Sequence, residues 1–183
     1  MDNDRFIRSA TLTDDQKINT RKQYSIPLDR PSILYAAKLV RGKRPGDLLS
    51  AIRRLSAERN LAFTAVMAGS GELEQELRAY CIEHALDNVV FTGFVNQLEL
   101  PALYSASDIF VLPAEQEHWG LAVNEAMCAS LPIVVSRARA TYRAAVERWP
   151  GGVITLRQGA RVIEDSRRTR FASRADKGRQ GGR

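Results

Sequence analysis

Long apolar runs are missing from this chain of 183 residues, and none approaches the roughly 20 residues a helix needs to cross a bilayer. The opening stretch MDNDRFIRSA lacks the apolar core of a secretion signal, so a cytoplasmic protein is expected. Cysteine is scarce. Cys81 and Cys128 both fall in predicted helices, with no second cysteine or histidine at ligand spacing. A reduced pair is therefore expected, and a zinc site is not. Also absent are a Walker loop, an HExxH helix and a GxSxG elbow, which sets aside the chemistries those motifs carry.

The net charge of +6 is unevenly spread. Residues 1–136 hold 14 Lys and Arg against 17 Asp and Glu, a net of −3, while residues 137–183 hold 13 against 4, a net of +9. A basic end can attract nucleic acid or anionic lipid. This one carries a single aromatic near its end, Phe171, and no recognisable binding motif, so a solvated, disordered tail over 158–183 is expected and no specific nucleic-acid partner.

What the chain does contain is alternation. Irregular polar sequence comes first, then a helix from the capping box Thr13/Gln16 to about Tyr24, together making an entry segment over residues 1–30. Pro27 and Pro31 precede the strand SILYAAKLV. A helix over about Pro45–Arg59 sets Leu48, Leu49, Ile52 and Leu55 on one face. The strand AFTAVMAG, a helix near Glu72–His84, the strand NVVFTGF, a helix near Leu98–Ser105 and the strand DIFVLP follow. A helix from about Trp119 and the strand PIVVS come next. Past Ser136 the pattern decays, leaving a possible short helix near Tyr142–Arg148 and a short strand, Val153–Leu156. Such alternation predicts an α/β fold: one Rossmann-like domain over residues 31–157, with a mostly parallel sheet and helices on both faces.

Chemistry concentrates between Asp108 and Ser136. Glu117 and Glu125 stand eight positions apart across a loop-to-helix junction, a spacing that a chain rich in acids also offers by chance. The context makes it informative. A buried strand ends at Pro113, and the helix opens with the amides of Gly120, Leu121 and Ala122 at that strand's carboxyl end, where an anionic phosphate is favoured. Both carboxylates can accept hydrogen bonds from sugar hydroxyls. Lys38 at the first strand's end and Lys43 in the following loop suit a diphosphate. Arg41 and Arg44, which flank them, read as solvated. Gly69-Ser70-Gly71 forms a turn that permits close backbone approach to a ligand, without the third glycine of a dinucleotide fingerprint. His118 lies inside the candidate site as a possible hydrogen-bonding group. Asp2-Asn3-Asp4 has the form of a metal clamp but sits at a terminus expected to fray.

In order, ILYAAKLVRGKRPGDLL, VMAGSGELEQELR, NVVFTGFVNQLELPALYSASDIFVLP and EQEHWGLAVNEAMCASLPIVVS resemble the GT-B glycosyltransferases with an E-x7-E unit, from about Asp2 to Ser136. The likeness implies the donor-binding half of an enzyme that transfers a hexose from a nucleotide diphosphate sugar to a glycan or lipid acceptor, as in polysaccharide biosynthesis. It implies that Lys38 and Lys43 contact the diphosphate, Glu117 the sugar hydroxyls, and Glu125 the ribose. It also puts the backbone of Gly120–Ala122 at sugar and phosphate, Gly69 at the glycine turn, and Phe94 near the base. No metal or other cofactor is implied, and transfer with retention is stabilised electrostatically. A location at the cytoplasmic face, peripheral to the inner membrane, fits a lipid acceptor. The family's N-terminal domain holds most of the acceptor site, and the chain begins where the C-terminal domain would begin. A truncated copy with a frame change near Ser136 and little activity alone is therefore expected. A non-catalytic nucleotide-sugar-binding module and an inactive gene product are the alternatives.

Overall fold

The computed structural model describes residues 2–59, 61–117, 120–136, 139–140 and 153–156. Its main sheet has six parallel strands: β1 (Ser32–Ala36), β2 (Thr64–Ala68), β3 (Val89–Gly93), β4 (Ile109–Leu112), β6 (Ile133–Ser136) and β8 (Val153–Leu156). Their spatial order is β3-β2-β1-β4-β6-β8. Counted along this sheet alone, that is 3-2-1-4-5-6, the doubly wound order in which the winding direction reverses between β1 and β4. A second, two-stranded parallel sheet pairs β5 (Gln116–Glu117) with β7 (Arg139–Ala140).

The strands are buried in proportion to their place. All five residues of β2 are buried, whereas edge strand β3 is half-buried throughout. Helices α3 (Pro45–Arg59) and α4 (Glu74–Glu83) pack together, while α5 (Leu100–Ser105) and α6 (Leu121–Cys128) form a second group. Leu48, Leu49 and Ile52 of α3 enter the core, as their spacing predicts. Tyr35, Tyr104 and Phe110 are its largest fully buried side chains.

The N-terminal segment departs from expectation. It holds two helices, α1 (Asn3–Ala10) and α2 (Asp14–Gln23), where one was predicted after irregular sequence. The capping box on α2 is present, with Thr13 and Gln16 each bonding the other's amide. The frayed terminus is not: Asp2 caps α1 by accepting from the Arg5 amide at 3.0 Å. Phe6 and Ala10 are buried, and the Phe6 ring meets Tyr104 edge-on with centroids 5.8 Å apart. The polar pattern hid this helix because only one narrow stripe of it faces the core. Burying Phe6 contributes about 2 kcal/mol, enough to hold a helix too short to persist alone.

After Ser136 the sheet continues where the sequence pattern weakens. The predicted strand Val153–Leu156 is β8, and it pairs with β6 from Ile133 to Ser136. The suggested helix near Tyr142–Arg148 and the tail over 158–183 lie outside the described residues, as does His118. Among the described residues, no helix is long and apolar enough to cross a membrane.

Candidate functional site

Each loop that leaves a strand's carboxyl end in this sheet opens on the same edge. The loop after β1 carries Lys38 and Lys43, and the loop after β4 carries Glu117. Because β1 and β4 are neighbours, these two loops meet where the winding reverses. They are latched together by the backbone, the Glu115 amide donating to the Gly42 carbonyl at 3.0 Å. Lys43 Nζ then donates to Glu117 Oε2 at 2.5 Å, the side chains retaining 26% and 12% exposure. So little exposure leaves the pair weakly screened.

Glu117 is doubly engaged. Its Oε1 accepts from the Gly120 amide at 3.1 Å, and its backbone belongs to β5, which β7 supports through the pairs Gln116 with Arg139 and Glu117 with Ala140. Gly120 adopts φ 59°, the left-handed region in which glycine carries no steric penalty, and turns the chain into α6. The helical ladder starts with the Asn124 amide on the Gly120 carbonyl at 2.8 Å. The amides of Leu121 and Ala122 precede that ladder and point out of the helix end, as the first turn of any helix requires. The first turn of α6 thus opens at this edge, with Gly120's own amide already taken by Glu117.

Glu125 faces elsewhere. Its Oε2 accepts from the Tyr104 hydroxyl of α5 at 3.1 Å, and next to it Asn124 donates to Asn3 of α1 at 2.9 Å. Burial raises the Glu125 carboxyl above its usual range, while the Tyr104 hydrogen bond works in the opposite direction. The Tyr104 phenol is itself driven well above its ordinary value, first by burial and then by the neighbouring Glu125 charge. Nothing in the sequence singles out Tyr104; only the fold shows that its hydroxyl donates to the Glu125 carboxylate.

Lys38 is exposed, and its backbone is fixed from below by the Tyr35 hydroxyl, which donates to the Lys38 carbonyl at 3.1 Å. The glycines of this turn answer a packing constraint within the fold. A Cβ on Gly69 would fall far inside contact distance of the Ala37 carbonyl oxygen, and one on Gly71 likewise against Leu39. Gly69 also sits at φ 143°. The close approach these glycines permit is therefore that of the β1 loop itself, sealed by the Leu39 amide on the Ser70 carbonyl at 3.0 Å. Phe94 follows β3 on the same edge and is 77% exposed. Arg44, read as solvated, pairs with Asp47 at 2.8 Å.

A groove of about 720 Å³ lies at the opposite edge, lined by residues that include Arg21, Asp108 and Pro132 ahead of β4 and β6. The Arg21 guanidinium is already committed to five acceptors around it. We place the chemistry at the carboxyl edge, where charged side chains and helix amides converge.

Comparison with known proteins identifies the family. Residues 16–158 match the family described as glycosyl transferases group 1. The chain belongs to that family. It is 34% identical over 126 residues to an uncharacterized glycosyltransferase, MJ1607, of Methanocaldococcus jannaschii, covering 68% of this chain and 32% of that one. A D-inositol 3-phosphate glycosyltransferase of Xylanimonas cellulosilytica is 26% identical over 164 residues, covering 85% of this chain and 39% of its own. The chain thus spans about a third of the length of these curated relatives. Among solved structures, Anabaena HepE in complex with UDP-glucose superposes with a TM-score of 0.69 at 22% identity, over 82% of this chain and 41% of that one. The C-terminal domain of the group 1 glycosyl transferase LpcC from Francisella tularensis gives 0.66 at 20%, over 82% and 79%. These likenesses establish the GT-B, Rossmann-like fold of a group 1 glycosyl transferase domain.

In this group 1 domain the Tyr104–Glu125 bond makes a testable link to pH. Glu125's folded-state value is raised, so its contribution to stability is complete below the unfolded carboxyl value and is lost as pH rises through the folded one. Tyr104→Phe removes the one opposing influence, and the Glu125 titration is expected to move further up. Carbon-detected NMR of the side-chain carboxyls reads this directly; a titration unchanged in the variant would show that the hydroxyl does not support the charge.

Proposed function

We propose that residues 31–157 bind a nucleotide diphosphate sugar as the donor for transfer of its sugar to a glycan or lipid acceptor. The observation that carries this reading is the convergence of Lys43, Glu117 and the amino end of α6 at the reversal between β1 and β4. An ammonium beside outward-pointing helix amides suits a diphosphate, and Lys38 lies on the same edge. Glu117 accepts hydrogen bonds from the sugar's hydroxyls, Glu125 takes the ribose, and Gly69 and Phe94 border the base. In transfer an acceptor hydroxyl oxygen bonds to the anomeric carbon as that carbon's bond to the diphosphate oxygen breaks, and the hydroxyl proton passes to the departing diphosphate. The charge left on the diphosphate is stabilised by Lys38, Lys43 and the amides of Leu121 and Ala122, with no metal required. The acceptor is held by protein outside this domain, at the cytoplasmic face of a membrane when the acceptor is a lipid.

Support comes from the family membership and from HepE, whose fold is shared and which binds UDP-glucose. Isothermal titration of the chain with UDP and with GDP tests the reading. Saturable one-to-one binding of either is expected, and a cooperatively folded chain that binds neither overturns it.

A further inference from the structure

We propose that Glu117 is a counter-ligand to Lys43 that makes the site prefer an intact nucleotide sugar over the bare nucleoside diphosphate left after transfer. The inference rests on the donor-binding reading above and goes beyond it by giving the ion pair a part in product release.

Lys43 and Glu117 satisfy one another at 2.5 Å, joining loops 74 residues apart in sequence. Neither loop's backbone is free to drift. The Lys43 loop is pinned by the Glu115–Gly42 backbone bond, and Glu117 by β5–β7 and by the Gly120 amide. The same two groups are needed by different parts of the donor, the ammonium by the diphosphate and the carboxylate by the sugar. A complete donor supplies both with partners, so the pair exchanges one another for ligand atoms at little electrostatic cost. A nucleoside diphosphate supplies only phosphate. The Glu117 carboxylate then stays opposite like charge across a shared ammonium, in a place where exposure of 12% limits screening. Once the sugar has left, its hydroxyls no longer occupy Glu117, and re-formation of the Lys43–Glu117 pair loosens the diphosphate.

Glu117→Gln isolates the charge, because the amide oxygen still accepts from Gly120. Titration of the wild-type chain and this variant with UDP and UDP-glucose, and in parallel with GDP and GDP-glucose, provides the test. The variant is expected to bind the nucleoside diphosphate roughly fivefold more tightly, as loss of one charge contact implies. The sugar nucleotide gains less, so the preference for it shrinks. Glu117→Ala, which also lacks the charge, is expected to show the same tightening, and in a Lys43→Met background the gain should vanish. Unchanged or weaker diphosphate binding in Glu117→Gln would mean that Glu117 only orients Lys43, and would overturn the inference while leaving the donor reading intact. Absence of binding by the wild-type chain to all four ligands would overturn both.

Discussion

Lys43→Met is expected to weaken binding of a nucleoside diphosphate by roughly 10- to 100-fold. Hydrogen bonds to charged groups contribute about 1.5–3 kcal/mol each, and about 1.4 kcal/mol corresponds to tenfold in affinity. Methionine keeps much of the side chain's apolar length while removing the charge. Lys38→Met should have a smaller effect. Lys38 is exposed, whereas the loop that carries Lys43 is latched at the reversal point by the Glu115–Gly42 backbone bond. Calorimetry on the two variants side by side decides the matter; equal losses would mean that the latched loop does not preorganise Lys43. Lys43→Met also leaves a mostly buried carboxylate whose one remaining partner among the described residues is the Gly120 amide, so some loss of stability accompanies the loss of binding.

Arg21→Ala is expected to destabilise the domain by about 3 kcal/mol, because one guanidinium ties four chain segments together. Its Nε donates to the Ala106 carbonyl at 2.8 Å and its Nη1 to the carbonyls of Pro27 and Arg30, both at 3.1 Å. Its Nη2 donates to Ser32 Oγ at 3.1 Å and to Asp108 Oδ2 at 2.5 Å. That carboxylate also accepts from the Ser32 amide at 2.7 Å, so α2, the end of α5 and the starts of β1 and β4 share one polar knot. Removing the guanidinium strands acceptors at a position only 14% exposed. For a domain of this size the loss corresponds to a fall in Tm of roughly 6–12 °C. Arg21→Lys should recover little, since a single ammonium cannot span the forked set of acceptors. A thermal melt followed by circular dichroism would contradict this account if Arg21→Ala melted with the wild type.

How far the sequence carries the reader differs between elements. Helix α3 was legible because Leu48, Leu49 and Ile52 recur at helical spacing on a face broad enough to see. The capping box before α2 was legible because both of its members lie within four residues. Helix α1 was not, since eight mostly polar residues give its one-sided pattern too short a window, and the contact that holds it is the distant Tyr104 ring. The glycines at 69 and 71 were visible as a turn, but their constraint is the carbonyls of Ala37 and Leu39 more than thirty residues upstream.

The same division runs through the candidate site. By itself the sequence determined the alternation of strands and helices, the presence of lysines after β1, and the placing of Glu117 before α6 and Glu125 within it. Each of these depends on local spacing, which the chain carries in any conformation. Only the tertiary structure decided that Lys43 meets Glu117 across 74 residues, that Arg21 meets Asp108 across 87, and that Glu125 turns to Tyr104. Those pairings follow from strand order. Placing β1 beside β4 brings together loops that are distant in sequence, and burial then lets only groups that find partners remain there.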